Sequence, residues 1–118
     1  MNTTLQDLTN PIEMGARLKF APNELLILEA DINYTNLHLV GGKKVIVSYH
    51  LGKLQKRLQP FSCFVRPNRY TLVNVQYING IENNCLYVGQ KQIVMSRRRM
   101  EAVLATIASF SQSNSKIF

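Results

Sequence analysis

Five arginines stand where recognition of an anion or a base edge would want them. Arg66 and Arg69 lie in Phe64–Asn74 (FVRPNRYTLVN), and Arg97, Arg98 and Arg99 follow Ser96 without a break. Pro67 fixes its own φ and biases Arg66 toward an extended conformation. A chain that bends through Pro67-Asn68 and re-enters a strand at Tyr70–Val73 displays Arg69 at the bend, with Arg66 on the shoulder. An arginine on a stiffened turn keeps its order before binding, which suits a planar or phosphate target. The second group fills the first turn of a helix capped by Ser96, where the helix dipole disfavours bases. A local rule broken three times in succession marks function. An anion docked there is held by free N–H groups, the dipole and the guanidiniums together.

Other chemistries lack their constellations. His38 and His50 have no second ligand or carboxylate partner at a useful spacing. Cys63 and Cys85 form no CxxC and have no nearby histidine. No metal and no cofactor are therefore expected, and the thiols read as structural. With no paired carboxylates and no nucleophile–base pair, the chain does not read as an enzyme. Tyr34, Tyr70, Tyr77 and Tyr87 could stack on bases, but half-buried strand positions account for them without that.

Charge narrows the partner. Residues 43–99 hold Lys43, Lys44, Lys53, Lys56, Arg57, Arg66, Arg69, Lys91, Arg97, Arg98 and Arg99 against Glu82 alone, a local excess of +10 within a chain of +7. The rest is acidic overall. Such polarity makes a one-sided positive field that draws polyanions, nucleic acid first and an anionic membrane surface second. No apolar run reaches the length of a membrane span, and no apolar stretch near the start reads as a signal peptide. A cytoplasmic protein without membrane contact is expected.

The 118 residues suffice for one domain with a real core. Residues 1–15 mix polar residues with Pro11 and read as a flexible lead-in, and residues 113–118 as a tail; residues 16–112 form the domain. Within it, Ala16–Phe20 and Leu25–Ala30 read as strands, and residues 32–36 as a polar link. Leu37–Val40 and Lys43–Val47 pair across the hairpin signal Gly41-Gly42. Ser48 is the expected N-cap of a short helix whose stripe is Leu51, Leu54 and Leu58, with Lys53, Lys56 and Arg57 on its solvated face. Val75–Glu82, Cys85–Val88 and Gln92–Met95 read as strands joined at Asn83-Asn84 and Gly89-Gln90. Met100, Val103, Leu104, Ile107 and Phe110 share one face of a closing helix. Short strands and tight turns indicate a mainly β, antiparallel domain.

LEADINYTNLHL (28–39), FVRPNRYTLVN (64–74) and IVMSRRR (93–99), in that order and spacing, resemble the signature blocks of the LytTR family of bacterial DNA-binding domains. The resemblance covers about residues 16–108 and is closest in the second block. It implies an elongated, mostly antiparallel fold of small stacked sheets with one short and one C-terminal helix. It also implies double-stranded DNA as partner, bound by loops in a response-regulator-like transcription factor that here stands alone, without a receiver domain. Family members occupy two direct repeats, so a monomer or weak dimer that pairs on DNA is expected. Base contacts carried over residue by residue fall near Thr35 and Asn36, on Arg69 and on Arg98, with Arg66, Arg97 and Arg99 as phosphate or framework contacts. Asn68 stands where the family usually has histidine, Tyr70 where serine is usual and Thr71 where an aromatic is usual. Asn68 can still donate and accept a hydrogen bond, which keeps it among the DNA-binding residues. A non-specific DNA- or RNA-binding module using the same basic face is the alternative.

Overall fold

The computed structural model of the chain describes residues 7–113, with side chains through residue 111. Its centre is an antiparallel five-stranded sheet built from β3 (Leu25–Asp31), β4 (Tyr34–Leu39), β5 (Lys44–Val47), β6 (Phe64–Asn68) and β7 (Thr71–Asn74). The strand order is β5-β4-β3-β7-β6. Ahead of it, β1 (Ile12–Gly15) and β2 (Leu18–Phe20) form a two-stranded ribbon. Behind it, β8 (Gly80–Glu82), β9 (Cys85–Val88) and β10 (Lys91–Val94) form a three-stranded meander. Helix α1 (Leu51–Leu58) joins β5 to β6, and α2 (Arg97–Ser113) closes the chain.

Each face of the central sheet closes its own core. A bulge between Leu25 and Ile27 lets Leu25 and Leu28 face one side while Ile27 faces the other. On the first side Leu28, Leu37 and Leu72 meet Leu51, Leu54 and Leu58 of α1 and Met14 of β1. On the second side Ile27, Val65 and Val73 meet Leu86 and Ile93 of the meander and Val103 and Ile107 of α2. Burial on both faces explains why β7 reads as an uninterrupted buried run, Thr71–Asn74. Glu29 on β3 also ties the layers, with its carboxylate 2.7 Å from His38 Nε2 and 3.4 Å from Lys91 Nζ. Burial pushes its pKa up, but the partners His38 and Lys91 outweigh that and hold it below the ordinary value.

Several local expectations are corrected. Residues 12–15, taken for part of a flexible lead-in, form β1, with Met14 fully buried; residues 1–6 of that lead-in and 114–118 of the expected tail lie outside the described residues. The ribbon was hidden because its turn is made by Gly15, Ala16 and Arg17, all at positive φ (120°, 52° and 66°), where only glycine is at ease. The polar link at 32–36 is a two-residue turn, Ile32-Asn33, after which β4 begins at once. The helix α1 is capped by His50, whose Nδ1 accepts from Lys53 N at 3.2 Å, and not by Ser48. Val75–Tyr77 is a 3-10 turn, so the strand expected at 75–82 shrinks to Gly80–Glu82. The side chain of Asn74 caps that turn by accepting from Gln76 N. The body measures 37 × 36 × 26 Å, and its three antiparallel sheets with one short and one C-terminal helix match the mainly β architecture expected.

Candidate nucleic-acid interface

Three segments meet at one end of the central sheet. They are the β3–β4 turn (Ile32-Asn33), the β6–β7 turn (Arg69-Tyr70) and the junction Met95-Ser96 between β10 and α2. The first two are joined where Ala30 N donates to Tyr70 O at 2.8 Å. The second and third are joined twice, by Ser96 N to Pro67 O at 2.8 Å and by Asn68 Nδ2 to Val94 O at 2.7 Å. Pro67 lies inside β6 and not at the bend, so the bend falls two residues later than the sequence suggests. The strand pairing slips between Val65 and Asn68, which places Arg66 and Pro67 in a bulge opposite Leu72. A proline fits there because its missing N–H leaves no ladder bond unmade.

The sequence-predicted residues divide by what already holds them. Arg69 is exposed at the tip of the turn, its guanidinium 5.3 Å from the ring centre of exposed Tyr70. That stacking restricts the arginine without engaging its donors. Arg97 and Arg98 are exposed on the first turn of α2, and Arg99 is half-buried. Ser96 sits at the cap position and its carbonyl accepts from Arg99 N and Met100 N, but its hydroxyl is buried with no partner among the described residues. The N–H groups of this helix end are therefore not capped by Ser96 Oγ. Arg66 is committed internally: Nη1 donates to Gln55 Oε1 at 2.6 Å and Nη2 to Arg69 O at 2.7 Å. Desolvation lowers its pKa, and the nearby Arg99 lowers it further. Arg66, Arg98 and Arg99 line a cleft of about 290 Å³ between β6 and α2.

The two residues expected on a loop at the first block lie inside strand β4. Thr35 is fully buried, and its hydroxyl donates to Tyr49 O at 2.8 Å, so it faces the core and not a ligand. Asn36 is half-buried in mid-strand, opposite Ile46 and Glu29, away from the tip. The residues that occupy the tip are Ile32, Asn33 and Tyr34; Ile32 is 91% exposed at φ 55° and Tyr34 is 53% exposed. Alternation was the missed signal: Thr35, Leu37 and Leu39 are buried in step, which starts the strand at Tyr34.

The basic residues of α1 are partly spoken for. Lys53 Nζ lies 3.9 Å from the Tyr49 ring centre, and Arg57 pairs with Glu13 at 3.3 Å. Burial pushes Glu13 up, but hydrogen bonds from Tyr49 and Gly15 and the charge of Arg57 leave it below its usual value. Lys56 remains exposed. Among the described residues no group of histidines, cysteines and carboxylates is placed to hold a metal.

Neither thiol belongs to the interface; both cysteines are buried and free. Burial pushes the Cys63 thiol up to about 11, which keeps it protonated and unreactive at neutral pH. Iodoacetamide is expected to leave Cys63 unmodified in the folded chain over a period that alkylates it fully in denaturant, as read by mass spectrometry. Equal labelling in both states would show that the first core opens readily around this residue.

Comparison with known proteins places this geometry. A family model for the LytTr DNA-binding domain matches residues 16–108. The fold matches a solved LytTr DNA-binding domain from Bacillus cereus with a TM-score of 0.68 at 16% sequence identity, covering 86% of this chain and 98% of that one. No curated protein matches the chain. Among the described residues no helix is long and apolar enough to cross a membrane.

Proposed function

Because the chain belongs to the LytTR family of DNA-binding domains, a non-catalytic family whose members bind DNA in transcriptional regulation, we propose that it reads a specific double-stranded sequence with the end of its central sheet. Arg69 and Arg98 contact base edges in this reading, while Arg97 and Arg99 hold phosphates. The observation that carries it is the convergence of two separately encoded arginine elements on one rim, with Arg69 and Arg98 both exposed. Arginine presents two parallel donors to the O6 and N7 acceptors of guanine, a fit that suits a short turn or a helix start as well as a recognition helix. In this reading the chain, a monomer or weak dimer in solution, pairs on direct repeats.

Selection of bound sequences from a random pool tests this reading, followed by competition with bulk DNA. A specific reader yields a motif and resists excess competitor; a charge-only binder yields none and is stripped from the probe. Lys56, exposed on α1, serves as the control for phosphate contact. Lys56→Ala is expected to weaken every sequence alike and to flatten the salt dependence by about one unit if it touches the backbone. A change of preferred base in this variant contradicts that role.

A further inference from the structure

We infer that Asn68 is a positioning residue, which fastens the turn presenting Arg69 to the junction presenting Arg97–Arg99 so that both arginine elements meet DNA as one unit. The inference rests on the reading above of which end meets DNA. It differs from the expectation that Asn68 itself contacts DNA.

Asn68 is half-buried, and both ends of its amide are already engaged. Its Oδ1 accepts from Tyr70 N at 2.9 Å, closing a side-chain turn across Arg69. Its Nδ2 donates to Val94 O at 2.7 Å, a bond that spans 26 residues of sequence. The orientation of the amide is fixed by its partners, since a backbone N–H only donates and a carbonyl only accepts. Val94 is the last residue of β10, and Arg97 begins α2 three positions on. A second bond, Ser96 N to Pro67 O at 2.8 Å, lies beside it, so the junction is sewn to the turn on two sides. The far side of the turn is held by Arg66, whose Nη2 donates to Arg69 O at 2.7 Å. The backbone of Arg69 is thus gripped through Tyr70 N and through its own carbonyl. Only its side chain is left to choose a conformation. A two-pronged contact from Asn68 to adenine would need the same amide that shapes the turn.

The geometry also says why a brace is needed. Arg69 sits on a two-residue turn of the central sheet, whereas Arg98 lies in the first turn of a helix that packs on the second core. Two base contacts made by separate layers reinforce each other only while the layers keep a fixed spacing. A misplacement of about 1 Å is enough to lose aligned contacts. Asn68 spans that seam.

The test compares Asn68→Ala, which removes both bonds, with Asn68→Ser, whose hydroxyl still accepts from Tyr70 N but no longer reaches Val94. Affinity is measured on the selected site and on bulk DNA, and base preferences are mapped position by position, with thermal stability followed in parallel. Asn68→Ser is expected to lose about ten-fold on the selected site, the worth of one well-made hydrogen bond, Asn68→Ala at least as much, and both less than about two-fold on bulk DNA. The preferred bases stay the same, and discrimination softens at the positions read by Arg69 and by Arg98 together. The decisive measurement repeats Asn68→Ser in an Arg69→Lys/Arg98→Lys background. With no guanidinium forks to misalign, the penalty should nearly vanish there. Relaxation confined to one base pair, with an undiminished penalty in the double-lysine background, overturns the inference and makes Asn68 a base reader. An equal loss on selected and bulk DNA overturns it too, as plain destabilisation. A parent protein that shows no preference for any selected site refutes the functional reading itself, which is a separate result.

Discussion

Arg98→Lys is expected to cost ~1–3 kcal/mol on the selected site and far less on bulk DNA, whereas Arg97→Lys and Arg99→Lys leave that ratio nearly unchanged. The substitution keeps the charge and removes the planar two-pronged donor, so it separates base reading from phosphate clamping. Exposure separates Arg97 and Arg98 from Arg99. Arg98 is exposed, and no hydrogen bond or ion pair among the described residues holds it. Arg99 is half-buried beside Arg66, where two like charges share the wall of one cleft. That pair suits a phosphate, which relieves the repulsion, better than a base edge. Quantitative binding on both DNAs at a fixed salt concentration decides the matter. If Arg98→Lys behaves as its two neighbours do, base reading at this helix start is wrong and Arg69 becomes the main candidate.

Asn74→Leu is expected to lose about 3 kcal/mol of stability, although it replaces a polar residue by an apolar one in a core. Asn74 is fully buried at the end of β7. Its Nδ2 donates to Leu25 O at 2.9 Å and to Pro22 O at 3.2 Å, and its Oδ1 accepts from Gln76 N at 3.0 Å. One amide thus pins the turn that precedes β3, the start of β3 itself and the turn that follows β7. Leucine takes the amide donor from Leu25 O and the acceptor from Gln76 N, while Pro22 O keeps the bond from Leu25 N, and each group so orphaned costs about 1–3 kcal/mol before relaxation. Urea unfolding should show a lower midpoint with an unchanged slope. A loss under about 1 kcal/mol would show that these backbone groups find other partners and that Asn74 is not a pin.

Asn74 also shows how a motif residue can be legible while its task is not. The pair Val73-Asn74 belongs to the block that pointed to the family, yet its work is wholly inside the fold. The closing helix was readable because its apolar stripe from Met100 to Phe110 is long and regular, and tertiary packing reinforces the period. The arginine run at its start was readable for the opposite reason, as a violation of local preference. What escaped depended on turn length and register. Thr35 was placed in a loop because polar residues surround it, but a two-residue turn at Ile32-Asn33 leaves it in the strand and inside. The bend was placed at Pro67 because proline usually marks one; a bulge absorbs the proline and moves the bend to Arg69-Tyr70. His50 displaced Ser48 as the cap by two positions, a shift that no periodicity encodes. For Thr35 and Pro67 strand register decided, and a local window does not carry it.

The two-sided central sheet has a consequence for how the protein comes apart. Strand β3 supplies Leu28 to one core and Ile27 to the other, so exposing it dismantles both. The meander and α2, by contrast, pack chiefly on one side, with Phe110 of α2 also reaching the first core, and the ion pair of Lys91 with Glu29 and the bonds at Asn68 and Ser96 lie along their seam with the sheet. Partial opening has a natural first step there, with the other core left closed around α1. The helix start that bears Arg97–Arg99 belongs to the part released. Bound DNA that spans the seam would hold that part shut, so amide exchange in α2 should slow on binding while exchange in β3, already limited by global unfolding, changes little. The recognition surface is thereby also the latch of the less stable half.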